Sequence, residues 1–159
     1  MEAAGVVEAI GPGVDFLGVG DRVGYFSSTT GAYATRRTLS ATTVAKLPDG
    51  IDEKTAAAIM LKGCTAEFLA ERCAKVQAGQ TVLVHAAAGG VGLILTQWLK
   101  AIGARVIGTA GSAEKAALAK AHGADHVILY REEDIARRVA ELTGGATCDV
   151  VIDGVGKDT

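Results

Sequence analysis

The second half of the chain alternates short apolar runs with longer stretches of helical character, and a glycine closes each longer stretch. Short runs of this kind are typical of buried strands, and a glycine after a periodic stretch is a common helix end. The pattern predicts strands at 81–85, 105–109, 126–129 and 149–153, and helices at 91–102, 113–122 and 132–142. Repeated β-α-β units predict an α/β fold, a parallel Rossmann-like sheet with right-handed crossovers and helices on both faces.

The beginning of the chain has a different character, rich in Gly, Val and Thr, with short alternating stretches. Three strands are predicted in this region. The first lies at residues 6–10, the second follows the turn at Gly20-Asp21, and the third begins at residues 31–35. This region resembles a piece of a β domain whose other strands are missing. We therefore expect residues 1–46 to be the C-terminal part of one domain and residues 47–159 to form most of a second.

Two helices are predicted ahead of the first strand of the parallel sheet. Asp52 is a good N-cap for an alanine-rich helix that runs through Leu61. A second helix is predicted from about Thr65 to Val76. The parallel sheet itself is expected to be incomplete, because a dinucleotide-binding domain of this kind usually has about six strands.

Composition and charge exclude several classes of protein. Hydrophobic residues make up 49% of the chain and charged residues 21%, which favours a packed core over disorder. A formal net charge of -2 gives no electrostatic reason to expect a nucleic acid or an acidic membrane as partner. No apolar run reaches the roughly 18 residues that a membrane-spanning helix needs.

The cysteines and histidines offer no metal site. Cys64, Cys73 and Cys148 show no Cys-x-x-Cys spacing, and three reduced cysteines are typical of a cytoplasmic protein. The three histidines have no catalytic partner visible in the sequence and are interpreted as structural or surface residues; they are His85, His122 and His126.

The clearest functional motif is a glycine-rich loop between the first parallel strand and the helix that follows it, with the sequence His-Ala-Ala-Ala-Gly-Gly-Val-Gly. Ala87 stands at the first glycine position of the dinucleotide fingerprint, while Gly89 and Gly92 stand at the second and third. A helix that begins at such a loop directs its N–H groups and positive dipole end at phosphates. Two alternatives stay open, a tight turn without a ligand and a methyltransferase loop for S-adenosylmethionine.

The end of the next strand indicates which dinucleotide is bound. NAD-binding domains usually carry Asp or Glu about 20 residues past the first glycine, where it contacts the ribose hydroxyls. This chain has no acid at the strand end but has Ser112 and, one helical turn later, Lys115. These side chains favour NADPH by holding its 2′-phosphate. The alternative is an ordinary helix cap at Ser112 and a solvated Lys115.

Several motifs together resemble the zinc-independent quinone oxidoreductase, zeta-crystallin-like branch of the medium-chain dehydrogenase/reductases. The most specific one is the glycine loop flanked by Gly-Gln-Thr-Val-Leu before it and Gln-Trp-Leu-Lys after it. Further similar segments are 2–5, 20–23, 61–65, 130–133 and 153–156. The resemblance covers essentially the whole chain and implies that residues 1–46 belong to a GroES-like β domain.

The resemblance also implies a set of cofactor-binding residues. The pyrophosphate is assigned to the loop and first helical turn, namely Ala88, Gly89, Gly90, Val91 and Gly92. The adenosine 2′-phosphate is assigned to Gly111, Ser112, Lys115 and Tyr130, and the nicotinamide side to Lys62, Thr65 and Val155. For Tyr130 a half-buried aromatic role is an open alternative, and for Thr65 a helix N-cap. Catalytic residues are not assigned, because hydride transfer from NADPH needs no nucleophile–base pair.

The chain departs from zinc-dependent relatives, which carry a His directly before the Glu of the first motif and a four-cysteine lobe soon after Gly-Asp-Arg-Val. Here Met1 precedes Glu2, and no such lobe follows. The resemblance implies a zinc-independent, cytoplasmic NADPH:quinone reductase that is a homodimer in its full-length form. Reduction of an enone or enoyl thioester, or a non-catalytic nucleotide-binding role, stays possible. Because family members extend further at both ends, we expect this chain to be a truncated form with little turnover.

Overall fold

The computed structural model describes residues 2–27 and 29–156. The chain folds as two compact units, Met1–Cys64 and Thr65–Thr159. Their boundary falls inside a helix, whereas the composition change that defined the expected domains lies near residue 46. The assignment of residues 1–46 and 47–159 to two domain families stays a prediction.

In the first unit the described residues form a three-stranded antiparallel sheet in the order β1-β2-β3. The strands are β1 (Glu2–Val6), β2 (Arg22–Phe26) and β3 (Ala45–Lys46), and a 3₁₀ turn (Ala41–Thr43) precedes β3. The strand after Gly20-Asp21 is confirmed as β2. The strand predicted at 6–10 is wrong, because β1 pairs its residues 2 to 6 with β2 and only Val7 continues the hydrogen bonding, to Asp21.

The strand predicted from 31–35 is also wrong. This segment lies in a loop that a side chain organises, since Arg37 donates to the carbonyl oxygen of Thr30 at 3.0 Å and to the Thr29 hydroxyl at 2.8 Å. The same guanidinium donates to the Tyr25 hydroxyl and lies 5.2 Å from the centre of that ring. The backbone of residues 31–35 therefore pairs with no strand, and β3 takes the third place in the sheet.

A single long helix, α1 (Glu53–Glu67), replaces the two helices predicted before the parallel sheet, and a π-helical segment (Phe68–Cys73) follows it. Asp52 is the predicted N-cap, since its carboxylate accepts the N–H of Thr55 at 2.7 Å. The predicted break after Leu61 is wrong. Gly63 lowers helix propensity by only about 1 kcal/mol relative to alanine, which tertiary contacts readily offset.

The second unit contains, within its described part, a four-stranded parallel sheet in the order β6-β5-β4-β7. Its strands are β4 (Thr81–Val84), β5 (Arg105–Ala110), β6 (His126–Leu129) and β7 (Val150–Ile152), and its helices are α2 (Gly90–Ile102), α3 (Ala113–Ala121) and α4 (Ile135–Thr143). The strand order reverses at β4, as it does in Rossmann folds. The predicted Rossmann-like α/β fold is confirmed.

The element boundaries of this unit agree with the sequence pattern, with one displacement. Gly103 adopts a left-handed conformation and ends α2, as predicted. The helix predicted from 132 begins three residues later, at Ile135. The N–H groups of Glu132 and Glu133 both bond to Leu129 in a turn, and the Asp134 carboxylate accepts the N–H of Arg137 at 2.7 Å.

Two apolar clusters cover the two faces of the parallel sheet. One is built on Val82, Val84 and Val106 with Leu95 and Leu99 of α2, and all five are almost fully buried. The other contains Leu83, Ile107, Ile128 and Val139. The sheet is thereby fixed between helices, and the carboxyl ends of its parallel strands share one edge. No helix in the described part of the chain is long and apolar enough to cross a membrane.

We expect Asp134→Ala to lower the free energy of unfolding by about 1 kcal/mol, because the first turn of α4 loses its capping acceptor. Asp134→Ser keeps a side-chain oxygen at this position and is expected to retain most of the stability. Urea denaturation of the two variants followed by circular dichroism measures both effects. Equal losses for alanine and serine would contradict a capping role.

Candidate functional site

The loop between β4 and α2 is fixed to β5. The N–H of Ala86 donates to the Thr109 hydroxyl at 3.2 Å, and the N–H of Ala87 donates to the carbonyl oxygen of Thr109 at 3.0 Å. Ala86 has a positive φ of 50°, and its carbonyl oxygen accepts the N–H of Gly89 at 2.8 Å. The loop is therefore a tight turn whose backbone is held at the carboxyl edge of the sheet.

Gly92 allows the first turn of α2 to lie directly against this loop. A Cβ atom on Gly92 would lie 2.3 Å from the carbonyl oxygen of Ala86 and 2.8 Å from the Cα atom of Ala87. A Cβ atom on Gly108 of β5 would lie 2.7 Å from the Cβ atom of Ala87. Both approaches exclude any side chain. The predicted close packing of the helix at Gly92 is therefore present in the fold.

The N-terminus of α2 presents backbone donors without a side-chain cap. Gly89 is the N-cap residue, with φ −77° and ψ 170°, and offers no capping side chain. The first helical residues are Gly90, Val91 and Gly92. Their N–H groups come before the first hydrogen bond of the helix and therefore have no acceptor within it. Such N–H groups and the helix dipole together favour an anion. The arrangement fits a dinucleotide pyrophosphate.

A cavity of about 120 Å³ adjoins the loop, and its lining contains five of the predicted site residues. These are Ala88, Gly89, Gly111, Lys115 and Tyr130, and the wall also includes Ala86, Thr109 and Ala110. Tyr130 is half-buried and follows β6 directly. A Cβ atom on Gly111 would lie 2.8 Å from the Tyr130 hydroxyl oxygen, so glycine is what allows this hydroxyl to reach the cavity.

Two predicted phosphate ligands lie at the start of α3. Ser112 is the N-cap, and its hydroxyl accepts the N–H of Lys115 at a long 3.4 Å. Lys115 is exposed and lines the cavity, and among the described residues its ammonium group makes no ion pair. The capping role considered for Ser112 is confirmed. A lysine that lines a cavity without a carboxylate partner can bind an anion.

Two of the predicted nicotinamide-side residues, Lys62 and Thr65, lie on α1, and the third, Val155, lies after β7. Lys62 belongs to the first unit, where its ammonium group pairs with the Glu2 carboxylate. Burial alone would raise the pKa of Glu2, but the hydrogen bonds from Lys62 and from the N–H of Leu61 outweigh it and the pKa is lowered. Thr65 lies in the last turn of α1, so the N-cap alternative for it is wrong. Val155 follows β7, and its N–H donates to Asp153 at 2.8 Å.

The sequence reasoning missed Thr109. This residue is fully buried on β5, and its hydroxyl contacts both the N–H of Ala86 and, at 3.3 Å, the Nδ1 atom of His85. It fixes the glycine loop from the neighbouring strand. The only signal available in the sequence was a threonine at the end of an apolar run, which many strands share.

The described residues contain no cluster of three or more His, Cys, Asp or Glu side chains that could hold a metal ion. Cys64 and Cys73 are exposed, and Cys148 is partly buried, which raises the pKa of its thiol. The candidate site at the carboxyl edge of the sheet contains backbone donors, one lysine and one tyrosine.

Residues 90–159 match the family model described as zinc-binding dehydrogenase. The chain is 52% identical over 158 residues to a quinone oxidoreductase of Pseudomonas aeruginosa, covering 99% of this chain and 49% of that protein. It is 46% identical over 161 residues to a 2-haloacrylate reductase of a Burkholderia species, covering 100% of this chain and 48% of the reductase.

Among solved structures, the Escherichia coli quinone oxidoreductase complexed with NADPH superposes with a TM-score of 0.96 at 48% identity, covering 99% of this chain and 48% of that one. The chain thus spans about half the length of the curated relatives it matches. With the fold, the glycine loop and these identities in agreement, the chain belongs to the quinone oxidoreductase branch of the medium-chain dehydrogenase/reductase superfamily.

Proposed function

We propose that this chain carries the NADPH-binding part of a quinone reductase, which transfers a hydride to a quinone or a similar activated acceptor. The observation that carries the proposal is the cavity at the end of β5, which Gly111, Lys115 and Tyr130 line together and where no acid occupies the strand end. An acid at this position would select NAD by binding the ribose hydroxyls, and a cation accommodates the 2′-phosphate of NADP. The E. coli relative crystallised with NADPH supports the same choice.

NADPH, when bound, supplies the hydride, and the protein supplies binding and orientation. The N–H groups at 90–92 would hold the pyrophosphate at the start of α2, and Ala88 and Gly89 would lie beside it. Lys115, Ser112 and Tyr130 would hold the 2′-phosphate, with Gly111 leaving room for it. Since Val155 follows β7, the parallel neighbour of β4, it lies on the same edge of the sheet and would contact the cofactor. Lys62 and Thr65 would lie toward the nicotinamide.

The hydride acceptor is proposed to be a quinone, from the family membership. Reduction of an activated carbon–carbon double bond is the second candidate, because the chain is also 46% identical to a 2-haloacrylate reductase. A third candidate, a nucleotide-binding role without turnover, predicts NADPH binding with no oxidation. We further propose a homodimer for the full-length form and a cytoplasmic location, which the three free cysteines favour.

The experiment that tests the proposal uses a full-length form and has two parts. The dissociation constants of NADPH and NADH are measured first, and a clear preference for NADPH is expected. Oxidation of NADPH is then followed with a quinone, an enone and 2-chloroacrylate as separate acceptors. Fastest turnover with the quinone supports the first candidate, whereas fastest turnover with an alkene supports the second. Equal affinity for the two dinucleotides would overturn the NADPH assignment.

Metal removal is expected to leave activity unchanged, although the matching family model is described as zinc-binding. The reason is that the chain's cysteines and histidines form no ligand set within the described ranges. Activity of a full-length form is measured before and after exhaustive chelation, with elemental analysis of the same sample. One zinc per chain, or activity lost on chelation and restored by zinc, would contradict this prediction.

A further inference from the structure

Arg131 lies beside the proposed 2′-phosphate cavity because of the turn that follows β6. The N–H of Tyr130 continues the β5–β6 pairing by donating to Ala110 at 3.3 Å. The N–H groups of Glu132 and Glu133 then both donate to the carbonyl oxygen of Leu129 at 2.9 Å, which turns the chain sharply. This turn places Arg131 at the carboxyl edge of the sheet, next to the residues that follow β5.

The guanidinium group of Arg131 approaches the same glycine as the Tyr130 hydroxyl. A Cβ atom on Gly111 would lie 2.8 Å from the Tyr130 oxygen and 3.5 Å from Nε of Arg131. Gly111 and Tyr130 line the cavity together with Lys115. A hydroxyl and an ammonium therefore line one small space, and the guanidinium group lies beside it, next to Gly111.

Neither of the two carboxylates that directly follow Arg131 pairs with it in the part of the chain that the structure describes, and Glu133 is engaged elsewhere. Glu133 accepts the N–H of Leu129 at 2.8 Å with one oxygen, and its other oxygen pairs with Arg138 at 2.8 Å. Arg131 itself is exposed, and within the described ranges it makes no ion pair. Its charge is therefore available to a ligand in the cavity.

A phosphomonoester carries about −1.5 to −2 charge near pH 7. Lys115 alone supplies one positive charge and cannot balance it. Arginine presents a planar fork of N–H donors that matches phosphate oxygens, and it stays charged at every physiological pH. A second cation of this kind, beside a hydroxyl donor, raises the positive charge of the site to about the size of the negative charge on the 2′-phosphate.

We infer that Arg131 is a second cationic ligand of the adenosine 2′-phosphate and a determinant of the preference for NADPH over NADH. The inference rests on the proposed NADPH function and extends the phosphate site beyond the residues that the sequence indicated. The guanidinium donates hydrogen bonds to phosphate oxygens on the side of Gly111 where Tyr130 also donates.

The test compares Arg131→Gln with Arg137→Gln in a full-length form. Both variants remove one exposed arginine charge from the same part of the chain, but Arg137 lies on α4 and pairs with Glu141. Dissociation constants are measured for NADPH, for NADH and for adenosine 2′,5′-bisphosphate, which carries the 2′-phosphate without the nicotinamide. Losing a charge-assisted hydrogen bond is expected to weaken NADPH and the bisphosphate about tenfold or more.

Arg131→Gln is expected to change NADH binding by less than about twofold, and Arg137→Gln to leave all three ligands within that range. Arg131→Lys should restore part of the lost affinity, because it keeps the charge but not the fork. Unchanged binding of both 2′-phosphorylated ligands, or equal weakening of NADH, would overturn the role of Arg131 while leaving the NADPH proposal intact. A wild-type protein without NADPH preference would overturn both.

Discussion

Gly92→Ala is expected to lower the free energy of unfolding by about 3 kcal/mol and to remove measurable binding of the dinucleotide. The added methyl would lie 2.3 Å from the carbonyl oxygen of Ala86 and 2.9 Å from the carbonyl carbon of Ala87. These are backbone atoms, which cannot rotate away as a side chain can. The loop cannot move aside easily either, because the N–H groups of Ala86 and Ala87 both bond to Thr109.

The matched control is Gly154→Ala, the same substitution at an exposed position of the same unit. A Cβ atom there would meet no atom within 4 Å, so a change within about 0.5 kcal/mol is expected. The single tryptophan, Trp98, lies on α2 and reports unfolding of this unit by fluorescence during urea denaturation. Equal denaturation midpoints for the two variants would show that the loop accommodates a methyl group and that the close contact is not required.

The second unit was predictable because its signals are local. The strands β4, β5 and β6 are apolar runs buried between two layers, and the helix ends at Gly103, Gly123 and Gly144 all have positive φ. The start of α4 was misplaced because acids at 132 and 133 are typical of a first helical turn. Here they lie in a turn, and Glu133 bonds back to Leu129.

The first unit was less predictable because its strands depend on distant partners. The strand β1 consists largely of small residues, Ala3, Ala4 and Gly5, which give no apolar alternation. Its position follows from the register with β2, which pairs Ala3 with Tyr25. Of the more apolar segment at 6–10, only Val6 belongs to β1, and both Val6 and Ile10 are exposed. Similarly, the break predicted between Leu61 and Thr65 is absent, because α1 is continuous through this segment.

The same distinction applies to the site. The glycine loop could be predicted because its residues are consecutive and follow a strand of clear character. Thr109 and Arg131 could not, because each acts on a neighbour that only the sheet brings close. Thr109 reaches Ala86 because β4 and β5 are parallel neighbours. Arg131 reaches Gly111 because β5 and β6 are also parallel neighbours. Pairing of strands, not sequence spacing, determines these contacts.

Lys115→Glu is expected to weaken NADPH binding about 10- to 150-fold, from loss of a charge-assisted phosphate contact of about 1.5–3 kcal/mol. NADH, which lacks the 2′-phosphate, should bind nearly as before. The variant should fold normally, because residue 115 is the third residue of α3 and Ser112 is its N-cap. A glutamate at this position forms a capping box with Ser112 and lies favourably at the positive end of the helix dipole.

Lys120→Glu is the control, with the same change of charge on the same helix but in its last turn, away from the cavity lining. It is expected to leave both dissociation constants nearly unchanged, although a carboxylate at the helix C-terminus lowers the stability of α3 slightly. Affinities are measured by the fluorescence of the bound reduced dinucleotide, and folding by the denaturation midpoint. If Lys115→Glu weakens NADPH and NADH by the same factor at an unchanged midpoint, Lys115 does not contact the 2′-phosphate. Its place in the cavity wall would then serve the part of the dinucleotide that both cofactors share.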